Sequence, residues 1–188
     1  MKLEKVKLSI PENALLFTMD VKSLYPSIPR TESLEACYEA LENRTNKDIP
    51  TEAVLTLIKT VLENNVFQFN NQNFIQVDGT AIGSKLGKNL ASTYMGVWEK
   101  ELLQTSKIEP FMYVRLVDDI FGIWNGTEQE LKDFEDTANN IHPRIKVEMT
   151  MSKSLIQFLD VNISKHQGTL ETTIFHKPTD RHLYLHST

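Results

Sequence analysis

Tyr113-Val114-Arg115-Leu116-Val117-Asp118-Asp119-Ile120-Phe121-Gly122-Ile123-Trp124 is the stretch from which the rest of the chain is read. Two apolar runs flank adjacent carboxylates. Runs this short and this rich in Val, Ile and aromatics read as strands, which puts Asp118 and Asp119 at the tip of a hairpin. Aspartates are also ordinary turn residues, and an Asp-Asp turn open to water accounts for these residues equally well. A third carboxylate favours the first account: Leu15-Leu16-Phe17-Thr18-Met19 is another strand-like run and carries Asp20 where it should end. Three carboxylates at strand ends repel one another unless divalent cations neutralise them, as a two-metal phosphoryl-transfer site requires.

A chain of 188 residues suits one domain with a sizeable core. Its single cysteine, Cys37, excludes an internal disulfide framework. Neither a secretory segment nor an apolar run of membrane-spanning length stands out, which predicts a soluble, intracellular chain with no membrane partner. The formal net charge of −5 argues against a free-standing nucleic-acid binder. Two considerations weaken that argument: bound metal would cancel several acids, and basic residues could come from segments outside this chain.

Read in order, Pro11-Glu12-Asn13 turns into the strand Ala14–Asp20. The prolines of Val21-Lys22-Ser23-Leu24-Tyr25-Pro26-Ser27-Ile28-Pro29 then predict a fixed, extended loop that holds Tyr25 near Asp20. A packing role is the more usual one for a tyrosine in such a loop. A helix from about Thr31 places Leu34, Cys37, Tyr38 and Leu41 on one stripe, and a second after Pro50 does the same with Val54, Leu57, Ile58, Val61 and Leu62. Val66–Phe69 and Asn73–Val77 form a hairpin across Asn70-Asn71-Gln72. Asp78-Gly79-Thr80-Ala81-Ile82-Gly83-Ser84 is a small-residue loop, of a kind that lets a nucleic-acid or nucleotide backbone approach. A long helix from about Lys88 to Gln104 turns Leu90, Tyr94, Val97, Trp98 and Leu102 inward. Thr127-Glu128-Gln129-Glu130 is a capping box opening a helix with Leu131, Phe134, Ala138 and Ile141 buried. Strands over 145–151, 156–163 and 169–175 complete an α+β arrangement, with helices on one face of a mostly antiparallel sheet.

Four blocks in this order resemble the palm of a reverse transcriptase, closest to those of Penelope-like retroelements. Phe17–Pro29 resembles the first palm motif; Phe74–Lys85, with Tyr94–Glu99 beyond it, resembles the second. Arg115–Phe121 resembles the metal-binding hairpin, and Phe158-Leu159-Asp160-Val161 with His176-Lys177-Pro178-Thr179-Asp180 resembles the blocks that close the palm. The resemblance implies an RRM-like antiparallel sheet over residues 14–188, preceded by a lead-in over 1–13. Part of the fingers, the thumb and any endonuclease domain would then lie in other segments of a parent polyprotein. It also implies an RNA template, a DNA primer and dNTP as partners, and a nuclear location by family analogy.

By the same resemblance, Asp20, Asp118 and Asp119 are the catalytic residues. Together with the Val21 carbonyl they would hold two Mg²⁺ ions, or Mn²⁺ in their place, with Asp119 the carboxylate that tunes its neighbour more than it binds. Tyr25 would exclude a ribose 2′-OH. Gln76, Gly79, Gly83 and Lys85 would lie along template and nucleotide. Arg115 is either a phosphate contact or a partner of a nearby carboxylate. Lys153 would assist the leaving phosphate, although a solvated surface lysine is the plainer reading, and Asp160 reads as structural. The chain departs from the pattern at Leu116, where the family has an aromatic, and at Gly87-Lys88, where it has Ala-Pro. A palm that no longer polymerises, acting as a binding module, is the rival expectation; a metal-dependent nuclease is the third, and Tyr25 with the Gly79–Gly83 loop tells against it.

Overall fold

A computed structural model describes residues 9–175. Its centre is a four-stranded antiparallel sheet ordered β4-β5-β1-β6, built from β1 (Leu15–Val21), β4 (Met112–Leu116), β5 (Asp119–Trp124) and β6 (Val147–Ser152). The near-continuous apolar run of β1 reflects its place between two neighbours and between two layers. On one face, Leu15, Phe17, Met19 and Val21 meet α4 (Gly87–Thr105) and α5 (Glu128–Ile141) through Met95, Trp98, Leu131 and Phe134. On the other, Leu16, Phe121 and Ile123 meet Ile156 and Ile163 of a separate three-stranded sheet, β7 (Leu155–Phe158), β8 (Val161–His166) and β9 (Thr169–Ile174). Helices α2 (Arg30–Glu42) and α3 (Thr51–Glu63) form an outer layer, α2 on α4 and α3 on α2. The expected α+β class and helices on one face are therefore found, with β7–β9 covering part of the other. Among the described residues no helix is long and apolar enough to cross a membrane.

Local chemistry sets several boundaries. Thr127 accepts from the Glu130 amide at 3.2 Å, and Glu130 Oε2 accepts from the Thr127 amide at 2.7 Å, completing the expected capping box. β2 (Val66–Phe69) and β3 (Gln72–Ile75) are joined by two residues rather than three, because Asn70 and Asn71 both take positive φ, 48° and 58°. That is the geometry a tight hairpin needs, and asparagine tolerates it.

Other expectations are corrected. The loop after Asp20 contains a single helical turn, α1 (Leu24–Ser27), which tolerates Pro26 because amides this near a helix start have no intrahelical acceptor to lose. Residues 156–163 are two strands, broken at Leu159-Asp160 where Leu159 takes φ 52°. Tyr38, Leu57, Val61 and Val97 are exposed, Leu57 by 65%. The periodicity of α3 identified a helix but not its burial: an outermost helix packed mainly on α2 fully buries Leu62 alone. Ile10, assigned to the lead-in, is buried in the second core and its amide donates to Gly168 O at 2.9 Å. The block His176–Asp180 lies outside the described residues.

The β1–β5 register leaves Phe17 opposite Gly122, and a Cβ on Gly122 would sit 2.3 Å from the Phe17 ring. Gly122→Ala should therefore overpack the core at about 1–3 kcal/mol, read as a lower urea midpoint with unchanged slope.

Candidate active site

Asp20 occupies the penultimate position of β1, and the register places it opposite Asp119 on β5 and opposite Glu148 on β6. Directly opposed residues of an antiparallel ladder project to the same face. Asp119, Asp20 and Glu148 thus form an acidic row across three strands, on the face turned away from α4 and α5. They line an open cleft of about 490 Å³ together with Thr18, Thr150, Gln157 and Asp160. Asp118 sits in the turn between β4 and β5, its carbonyl accepting from the Val21 amide at 3.2 Å.

Burial and, after it, repulsion weaken two of these acids, Asp20 and Asp119. Partial burial first, then the charges of Asp118 and Glu148, raise the Asp20 carboxyl above its ordinary value. For Asp119 the causes are burial, then Asp118, then Asp20. The donor set, carboxylates with a nearby backbone carbonyl, suits a hard divalent cation such as Mg²⁺. Among the described residues, however, no three acidic, histidine or cysteine side chains stand close enough together to form a ready-made cage.

The turn is held under strain. Val117 takes φ 61°, an uncommon conformation for a β-branched residue, with its side chain buried. Arg115 anchors it: Nη1 donates to Val117 O at 3.1 Å, while Nε pairs with Glu99 Oε2 at 2.5 Å and Nη2 reaches Ser92 O at 3.4 Å. Of the two readings of Arg115, the structure shows the partner of a carboxylate. Leu116, beside the aspartates, is half exposed.

The expected loop residues divide. Gly79 is required by its surroundings: φ is 66°, and a Cβ would lie 2.5 Å from Tyr25 O and 2.7 Å from Pro26 Cα. Thr80 N donates to the same Tyr25 carbonyl at 2.9 Å, so this loop is fastened against α1. Tyr25 itself packs partly buried against the main core. Gln76 is engaged internally, its Nε2 donating to Asp78 O at 2.9 Å and its Oε1 accepting from Asn65 at 3.2 Å. Gly83, by contrast, has φ 87° and a Cβ there would meet nothing within 4 Å, and Lys85 is exposed. Lys153 is not near the acids. It pairs with Glu128 at 2.9 Å, and its neighbour Ser152 is opposite Leu16, about 13 Å along β1 from Asp20 at the usual strand rise.

Sequence reading missed Glu148, one charged position in an ordinary alternating strand, and two arginines. Arg30 donates from Nε to Gly79 O at 3.3 Å and from Nη2 to Gln76 O. Arg144 pairs with Asp78 at 2.5 Å and donates to Pro26 O at 3.1 Å. Burial would raise Asp78, but the Gly79 amide and the Arg144 guanidinium outweigh it and hold the carboxyl below its ordinary value.

No sequence-family profile matches the chain, and no curated protein is recognisably similar in sequence. Solved structures are similar in fold. Telomerase from Candida tropicalis superposes with a TM-score of 0.69 at 13% identity, over 92% of this chain and 33% of that one. Telomerase from Candida albicans, solved in complex with a TWJ fragment of telomeric RNA, gives 0.67 at 12% identity over 88% and 31%. The RNA-dependent RNA polymerase of a human picobirnavirus gives 0.62 at 12% identity over 89% and 32%. The chain thus has a polymerase-like fold and spans about a third of the length of these proteins.

Raised carboxyls make a signed prediction. A group whose folded pKa exceeds its unfolded one favours the fold at low pH and loses that contribution as pH rises through the folded value. Asp20→Asn should therefore raise Tm at pH 7, with the advantage over the wild type shrinking as pH falls through the carboxylate range; thermal melts from pH 7 to 3 measure it.

Proposed function

We propose that this chain is the palm of a reverse transcriptase, an RNA-directed DNA polymerase that adds dNTPs to a primer 3′-OH on an RNA template. The observation that carries the reading is the acidic row: Asp20 opposite Asp119, with Asp118 in the adjoining turn, at an open cleft of a fold shared with telomerase and a viral RNA polymerase. Kinship with Penelope-like retroelements is supported by the sequence blocks alone.

In this reading Asp20 and Asp118, with the Val21 carbonyl, hold two divalent cations, and the crowded negative charge is what their binding relieves. Such ions, when bound, supply activation of the primer hydroxyl and stabilisation of the leaving pyrophosphate. The remaining residues position. Asp119 keeps the potential at the row negative and so raises cation affinity. Tyr25, its backbone fastened to Thr80 and its side chain packed against the main core, offers a ring against which a ribose 2′-OH is rejected. Around Gly83 the backbone is open to a nucleotide or template strand. Arg115 acts on the catalytic turn rather than on phosphate. The cleft lies on the side of the sheet away from the helices, where a template and primer would run.

A second reading, a palm that binds without polymerising, is favoured by one observation: the described acids do not stand ready as a cage. Primer extension on an RNA template with Mg²⁺ or Mn²⁺ separates the two. Asp118→Ala and Asp20→Ala should each lower extension by at least about a thousandfold, the scale of losing a charged transition-state contact, and should abolish the heat of Mg²⁺ binding in calorimetry. Wild-type cation binding retained in both variants would remove the metal assignment. Tyr25→Ala should admit ribonucleotides, and unchanged sugar selection would remove Tyr25 from its role.

A further inference from the structure

Between Glu63 and Asp78 the chain carries no charged side chain. Asn64–Val77 consists only of asparagine, glutamine, phenylalanine, valine and isoleucine, in a protein that is 24% charged residues with a net charge of −5. This segment folds as the β2–β3 hairpin, and every residue of both strands is exposed. Phe67 stands opposite Phe74, and Phe69 follows Phe67 by two positions, so the three rings leave the same face. Phe67 and Phe74 stack, with centroids 5.6 Å apart and planes 23° from parallel, yet they remain 50% and 41% exposed; Phe69 is 64% exposed. An isolated exposed apolar side chain needs no explanation, but adjoining rings form a patch of the kind that marks an interaction surface. We infer that this face is a stacking platform for single-stranded nucleic acid, a further binding site that requires no metal at the acidic row.

Two features select this occupant over a polypeptide. The first is charge. Exposed carboxylates repel phosphates, and the hairpin has none. The loop and first helical turn that follow it supply cations: Lys85 and Lys88 are exposed, and among the described residues neither has a carboxylate within ion-pair distance. The acid of that loop, Asp78, is paired with Arg144 at 2.5 Å. From Asn64 to Trp98 the chain is therefore net positive, although the whole is net negative. The second feature is the chemistry around the rings. Base faces stack on aromatic side chains, and asparagine and glutamine amides both donate to and accept from base edges. Gln72 shares the ring face, and Asn70 and Asn71 form the turn beside it. A purely apolar partner would deprive those amides of hydrogen bonds. A duplex is disfavoured because its bases stack on one another and present no free face. The support is fixed: the Arg30 guanidinium donates to Gln76 O and Gly79 O, and the Gln76 amide to Asn65 O at 2.9 Å, which ties down the base of the hairpin.

The test is fluorescence anisotropy of a labelled oligouridylate of roughly twelve nucleotides on the full chain. Titrations run in EDTA, so a failed metal assignment at the acidic row leaves this result standing. Phe69→Leu, which keeps the apolar bulk and removes the ring, should weaken binding by about five- to a hundredfold, the loss of one stacked base. Phe69→Tyr should retain it. The position is exposed, so neither change threatens the fold. Lys85→Ala with Lys88→Ala should flatten the slope of log Kd against log salt by about 1.4, two phosphate contacts on a single strand. Ile49→Ala, at an equally exposed apolar position before the other end of α3, should change nothing. No binding by the wild type, undiminished affinity in Phe69→Leu, equal loss in Ile49→Ala, an unaltered salt slope, or equal affinity for a duplex of the same length would each overturn the proposal. So would concentration-dependent self-association in sedimentation that Phe67→Ala with Phe69→Ala abolishes, since a second copy would then hold the face.

Discussion

The antiparallel pairing of β1 with β5 is the constraint on which the molecule depends. Side chains alternate along a strand, so a slip of one residue would exchange the two faces. In the observed register Leu15, Phe17, Met19 and Val21 enter the helix-side core, while Leu16 enters the smaller core under β7–β9 and Asp20 reaches the open cleft. Burying a large apolar side chain is worth about 1.5–3 kcal/mol. A slipped strand would lose several such terms and drive Asp20 into the core without a partner. The acids are therefore placed by apolar residues whose side chains enter the opposite face of the sheet, and Gly122 is the gap through which Phe17 fits.

Strain at the neighbouring turn comes from the pairing of β5 with its other neighbour, β4. Reversing direction between Leu116 and Asp119 in two residues puts Val117 in the left-handed region, which is unfavourable by about 1–2 kcal/mol for an ordinary residue. Burial of its side chain, the Arg115 guanidinium on its carbonyl and the Val21 amide on the Asp118 carbonyl offset that. Arg115 is itself held by Glu99 of α4, so the long helix fixes the tip of a hairpin whose acids lie on the opposite face of the sheet. An enforced conformation at such a point is where strained residues tend to gather in functional sites.

Much of this was legible because the signals are local. The short apolar runs in 113–124, the capping box at Thr127 and the asparagines of the β2–β3 turn each act over a few residues, and they produced the expected hairpins and helix start, the second hairpin with a turn one residue shorter. Burial was not legible to the same degree. The apolar stripe of α3 is as regular as that of α5, yet α5 lies on the sheet and buries Leu131, Phe134 and Ala138, while α3 lies outermost and leaves Leu57 and Val61 in water. Periodicity states which residues share a face, not whether anything covers it. Long-range partners escaped for the same reason. Arg144 meets Asp78 across 66 positions, and Glu148 gains its meaning only from the Asp20 beside it. Lys153 is the surface lysine of its plainer reading; its phosphate role was open in the sequence because a position just after a strand says nothing about which end of the neighbouring strand it adjoins.

The negative charge of the chain looked, in sequence, like evidence against nucleic acid. In the fold that charge is divided by the sheet. One portion is concentrated at the cleft; another runs along α2, separated from the cleft by α4, α5 and the sheet itself. Screening at physiological ionic strength acts over about 8 Å, less than the thickness of a helix layer packed on a sheet, so the two populations are largely screened from each other. A basic residue is meanwhile present beside the acidic row, where Lys22 pairs with Glu148, and Arg144, between α5 and β6, pairs with Asp78 of the loop fastened to α1. Net charge sums over surfaces that never face the same molecule, and its sign therefore places no limit on what the cleft can bind.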